Sequence, residues 1–153
     1  MGKIKIEPFM VAGIAVRTTN AKGKAAKDIG ALWNKFMDED IQSKIPNKAD
    51  SSIYAIYTDY EGDHNHPYTM ILGCKVNSSK GLPSKLISRH FIGGNHLQYI
   101  AKGDLTKNAV HDVWQNIWAS DLKRIYTADI EIYGEKAKDP TNGEAEILIA
   151  VEN

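Results

Sequence analysis

From residue 4 to 18 apolar and β-branched residues alternate or run together ("IKIEPFMVAGIAVRT"). That pattern predicts one long strand. Over 23–43 the period lengthens, placing Ala25, Ala26, Ile29, Leu32, Trp33, Phe36 and Met37 at helical spacing. The Tyr- and Ile-rich "SSIYAIYTDYE" reads as a strand again, "EGDHNHP" as a turn and "YTMILGCKV" as the returning strand. The series then repeats. A strand is predicted over 89–101, and Gly103-Asp104 opens a helix whose apolar stripe is Ala109, Val110, Val113, Trp114, Ile117 and Trp118. "IYTADIEIY" (125–133) is the next strand, "GEKAKDPTNGE" the turn and "AEILIAV" the last strand.

The pattern is β-α-β-β written twice. It predicts an α+β fold in which duplicated βαββ units form a mainly antiparallel sheet with two helices. An offset of 81 residues sets "MVAGIAV" on "FIGGNHL" and "ALWNKF" on "DVWQNI", with 20 residues from Gly13 to Trp33 and from Gly94 to Trp114. The whole chain, 1–153, is expected to form a single domain, with repeat 1 over about 1–81 and repeat 2 over about 82–153. "SSKGLPSK" (78–85) serves as the linker. Because duplication supplies a pseudo-symmetric pair within one chain, a monomer or weak dimer is adequate.

Composition narrows the classes of function. Lys plus Arg and Asp plus Glu are 19 each, without the basic excess of a nucleic-acid binder, so no direct nucleic-acid partner is expected. The single cysteine, Cys74, excludes an internal disulfide and fits a cytoplasmic setting. No apolar run is long enough for a bilayer, and no membrane association is expected.

The chemistry-bearing residues are few. Cys74 shares a strand face with Met70, Leu72 and Val76 and reads as a core thiol. Asp63, His64 and His66 fall in a turn, which would bind metal only if tightly folded; a solvated hairpin turn is the expectation. His90, His96 and His111 have no readable partner. No phosphate-binding loop, dinucleotide fingerprint or nucleophile elbow occurs, and no cofactor, metal or catalytic residue is assigned. In "TADIEIYGE" the alternation puts Ile130 and Ile132 on one face and Asp129, Glu131 and Tyr133 on the other. Alternation alone makes Glu131 a residue of the wet side of a sheet. Trp33, Phe36, Trp114 and Ile117 by spacing alone are core residues.

The strings "IYAIYTDYEGD", "YTMILGCKV", "IGGNHLQYIAKGD", "VWQNIW" and "ADIEIY" resemble the GyrI-like effector-binding family, over about residues 4 to 152. That family supplies the drug-sensing domains of bacterial multidrug-responsive and AraC-type regulators, and stand-alone integron-cassette proteins, which this chain resembles most. The resemblance implies a cleft between the halves that takes bulky, hydrophobic, often cationic small molecules. It carries the cation-facing glutamate to Glu131, its tyrosine neighbour to Tyr133, the first-helix tryptophan to Trp33, the strand tyrosine to Tyr57 and the second-helix tryptophan to Trp114. His96 stands where a tyrosine is common and joins the expected ligand-binding set. Lys75 stands where relatives are often acidic, and both departures bear on ligand charge. The implied function is a small-molecule sensor or sequestering protein linked to transcription regulation. The alternatives are a hydrolase of electrophilic compounds using the same cleft, or a protein-interaction module resembling a gyrase inhibitor.

Overall fold

The computed structural model describes residues 2–63 and 65–152. The first half contains β1 (Gly2–Ile6), β2 (Phe9–Thr18), α1 (Lys24–Asp38), a one-turn α2 (Ile41–Lys44), β3 (Ile53–Thr58) and β4 (Tyr68–Val76). The second contains β5 (Ile87–Phe91), β6 (Gly94–Gly103), α3 (Ala109–Trp118), β7 (Ala128–Tyr133) and β8 (Gly143–Ala150). The eight strands form one sheet in the order β1-β6-β8-β7-β3-β4-β2-β5. Every pairing is antiparallel. The order reads the same in reverse when β1 to β4 are exchanged for β5 to β8. Among the described residues no helix is long and apolar enough to cross a membrane.

The long strand predicted over 4–18 is two strands, broken at Glu7-Pro8. Proline has no N–H to give to a ladder, and here the chain leaves one sheet edge for the other. The strand predicted over 89–101 breaks likewise at Ile92-Gly93. Each half therefore lends its first strand to the other: β1 pairs with β6, and β5 with β2. The two crossings touch. Gly93 has φ +75°, and a Cβ there would run into the backbone of Ile6 and Glu7. The predicted helix over 23–43 ends at Asp38 and resumes as α2 after Asp40, whose φ is +47°. The helix predicted from Gly103-Asp104 begins only at Ala109, because Asp104 instead accepts the Thr106 N–H at 3.0 Å and makes a turn.

The 81-residue register also shifts. β2 and β6 are ten residues each and begin at Phe9 and Gly94, an offset of 85. Gly13 lies mid-strand opposite Gly73, where a Cβ on either would collide with the facing backbone. Gly94 opens β6 in open space, so the two glycines answer different demands.

Both faces of the sheet centre are covered. On one face α1 inserts Leu32 and Phe36 over β2 and β4, and α3 sets Trp114 and Ile117 over β6 and β8. On the other, Ile56, Ile71, Ile130 and Leu148 from the central strands are at most 2% exposed, packed with Ile4 and Ile6 from the exchanged strand β1 and Phe9 at the start of β2. Full burial of side chains of this size contributes about 1.5 to 3 kcal/mol each.

Replacing Gly81, which also has positive φ (+79°) but nothing near its Cβ position, should cost about 1 kcal/mol as Gly81→Ala. Gly93→Ala should cost at least ~2 kcal/mol more, since it adds a backbone collision. Denaturant unfolding of the two variants checks the crossing, which equal losses would contradict.

Candidate ligand-binding cavity

Between α1, α3 and the sheet lies a cavity of about 650 Å³. β3 and β7 form its floor, and their register decides what stands there. Glu131 on β7 faces Ala55 on β3, whose small side chain leaves room beside the carboxylate. Glu131 is only 2% exposed. Its Oε1 accepts from the Tyr133 hydroxyl at 2.6 Å and its Oε2 from the Trp114 indole N–H at 2.7 Å. Tyr57 lies beside this carboxylate and favours its charged form. Trp33 of α1 stands edge-on to Tyr133 (centroids 5.1 Å apart), and Trp114 edge-on to Tyr57 (5.4 Å). The structure thus gathers Glu131, Tyr133, Trp33, Tyr57 and Trp114 around one cavity.

His96 does not join them. Strand alternation turns Leu97 toward α3 and His96 to the opposite face. There His96 is 2% exposed, with Nδ1 2.9 Å from the Gly94 carbonyl and Nε2 3.2 Å from that of Ala128, beside a separate cavity of about 160 Å³. Lys75 is corrected for the same reason. Met70, Leu72 and Cys74 hold the helix-side face of β4, so Lys75 points to the other face and cannot set the charge of the larger cavity. Cys74 is fully buried in that helix-side core, and burial pushes its thiol up to about 11. In the exposed turn, His66 Nδ1 lies 2.9 Å from Asp63 Oδ1; His64 lies outside the described residues.

Burial dominates the electrostatics of Glu131. It drives the carboxyl pKa up from its ordinary value, while the bonds from Tyr133 and Trp114, and Tyr57 beside them, pull it partly back. Those three partners are neutral. A buried carboxylate without a countercharge is expensive, so the site holds a negative charge at an energetic penalty. Burial, and then the neighbouring carboxylate, push the hydroxyls of Tyr57 and Tyr133 well above the usual tyrosine value, so both remain donors.

A second acid, which alternation set on the Glu131 face without a role, is also buried. Asp129, fully buried, bonds Arg124 Nη2 at 2.8 Å and the Tyr60 hydroxyl at 2.6 Å through Oδ2. Its Oδ1 accepts the Ala150 N–H at 2.9 Å. Arg124, Tyr60 and Tyr68 line the cavity, with Lys107 and His111 from the α3 side. Tyr68 was legible, because it alternates with the core residues Met70 and Leu72. Arg124 was not, because it sits in an irregular segment outside the strands, with an isolated bridge to Val151.

A single antiparallel sheet carrying helices over an aromatic cavity is the build of a small-molecule effector-binding module. Residues 4–151 match the family model for Cass2, integron-associated effector binding protein, and the chain belongs to that family. It is similar to the integron cassette protein VCH_CASS2 from the mobile metagenome of Vibrio cholerae, at 33% identity and TM-score 0.75, covering 99% of this chain and 95% of that one. It shares its fold with SAV2435, solved bound to tetraphenylphosphonium, at 14% identity and TM-score 0.82, covering 99% and 93%. It is also 26% identical over 144 residues to YobU of Bacillus subtilis strain 168, a protein provisionally named a transcriptional regulator, covering 92% of this chain and 90% of that one.

Because the fold raises the Glu131 pKa, it favours the neutral acid. That stabilisation is fully present below the unfolded value of about 4.5 and is lost as pH rises through the folded value. Glu131→Gln, neutral throughout, should therefore melt above the unsubstituted protein at pH 7 without ligand, with the gap closing near pH 4. Thermal melts at the two pH values check this, and a variant less stable at neutral pH would contradict it.

Proposed function

We propose that the cavity binds a bulky, aromatic, positively charged small molecule, with Glu131 as its counter-ion, and that the protein acts as a sensor of such compounds or sequesters them. The observation that carries this reading is a fully buried carboxylate whose bonds all come from neutral donors. Much of the desolvation cost of Glu131 falls on the empty protein. An entering cation supplies the missing charge at low dielectric, where the attraction is far stronger than in water.

The walls suit the same guest. Trp33, Trp114 and Tyr57 offer ring faces and edges around the acid, and cation–π attraction contributes roughly 0.5 to 2 kcal/mol per well-placed ring. A cavity of about 650 Å³ accommodates a drug-sized molecule. The tetraphenylphosphonium held by SAV2435, which shares this fold, is a compound of this class and makes a suitable first probe. The regulatory name of YobU supports a sensing role rather than simple storage.

All three tryptophans of the chain line the cavity, so ligand entry should quench or shift their emission directly. Titration with tetraphenylphosphonium is expected to saturate. Glu131→Gln should bind at least about tenfold more weakly, or ~1.4 kcal/mol. Lowering the pH through the raised Glu131 value should weaken binding by the unsubstituted protein and leave the variant flat. Equal affinities for the two proteins would rule out Glu131 as the counter-ion.

A further inference from the structure

A cation held by Glu131 leaves Arg124 unexplained. The Arg124 side chain is 5% exposed, and only its Nη2 has a protein acceptor, on Asp129. Its Nε and Nη1 are buried and have no partner, which is costly for a charged donor group. Asp129 has little left to offer, since its oxygens already serve the Ala150 N–H, the Tyr60 hydroxyl and Nη2. The guanidinium is instead enclosed by rings: Tyr126 with its centroid 4.3 Å away, and Tyr60 and Trp114 at 5.9 Å each. Tyr126 reaches this position with φ +56°, a left-handed backbone that a bulky residue rarely adopts.

The charges at the cavity agree with a second anchor. Among its described lining residues, Glu131 is acidic while Arg124 and Lys107 are basic. A simple lipophilic cation would meet one carboxylate and two nearby positive groups. A molecule carrying charges of both signs would find a partner at either end. Trp114 sets the separation: its indole N–H bonds Glu131, and its ring lies 5.9 Å from the guanidinium carbon of Arg124. A ligand spanning little more than one indole reaches both groups.

We propose that the cavity selects amphoteric aromatic compounds, whose positive centre meets Glu131 and whose carboxylate, or a comparable strong acceptor, bonds the unmet donors of Arg124, which lines the same cavity. This inference rests on the cation-binding role of Glu131. It adds a specificity-determining residue and narrows the ligand class from cations to compounds that also carry an acceptor.

The test compares (4-carboxybutyl)triphenylphosphonium with its methyl ester, which keeps the cation and removes the negative charge. Tryptophan emission of the full chain reads both affinities. The acid should bind about tenfold or more tightly than the ester, the scale of one charge-assisted anchor. The double variant Arg124→Met with Asp129→Asn removes both partners of the buried pair together, so neither charge is stranded. It should bind the ester within about threefold of the unsubstituted protein and lose the preference for the acid. Should circular dichroism show that this variant does not fold, Arg124→Lys replaces it, and the acid preference should shrink as the planar fork is lost.

A protein that binds both compounds equally, yet loses both on Glu131→Gln, would overturn the amphoteric inference and leave the cation site standing. Binding of neither compound, nor of tetraphenylphosphonium, would overturn both. An acid preference that persists undiminished in the Arg124 variant would remove the assignment to Arg124.

Discussion

A carboxylate buried among neutral donors organises this molecule. Glu131 has given up water for two short hydrogen bonds from Tyr133 and Trp114, and neither cancels its charge. The same donors fix the walls of the cavity. Trp114 is oriented by its bond to the acid and in turn packs on Tyr57; Tyr133 is oriented likewise and receives Trp33. The acid is therefore both the electrostatic centre of the site and the pin that sets its aromatic rings in place. A cavity arranged this way is preorganised, because the rings need little ordering when a ligand arrives.

The sheet makes such a residue possible. Exchange of the first strands brings Ile4 and Ile6 of β1 and Phe91 of β5 against the core on the side away from the helices, where they cover Ile130 and Ile132 of β7. With one face closed by the exchanged segments and the other roofed by α1 and α3, the polar face of β7 has no route to bulk water except through the cavity. Asp129 and Glu131, two residues apart on that face, then take different solutions. Asp129 is neutralised by Arg124 behind a wall of tyrosine. Glu131 keeps its charge unmatched and faces the space where a ligand fits.

Much of this was legible in the sequence. Alternation over 128–133 correctly divided β7 into an isoleucine face and an acidic face, and helical spacing found both roofing helices. Hydropathy could not show that the acidic face is covered, because a sheet roofed on both sides and a sheet wet on one side can share the same alternation. Likeness to a known family supplied that step for Glu131, Tyr133, Trp33, Tyr57 and Trp114. His96, added to the expected set where relatives often carry a tyrosine, lies on the face opposite Leu97, away from the larger cavity. The exchanged strands stayed hidden because Pro8 and Gly93 mark breaks without saying where the chain goes next. Arg124 left no periodic signal, and its partner Asp129 lies on a different element, so only the three-dimensional contact reveals the pair.

The central claim is that an entering cation converts a disfavoured carboxylate into a satisfied one. Proton release on binding reports this conversion most directly. Calorimetric titration with tetraphenylphosphonium, in mildly acidic buffers of different ionisation enthalpy, counts the protons that leave. Glu131 should surrender a fraction of a proton per ligand bound, and that release should vanish in Glu131→Gln. Binding without proton release in the unsubstituted protein, at a pH where its stability still shows the carboxyl titrating, would contradict the account.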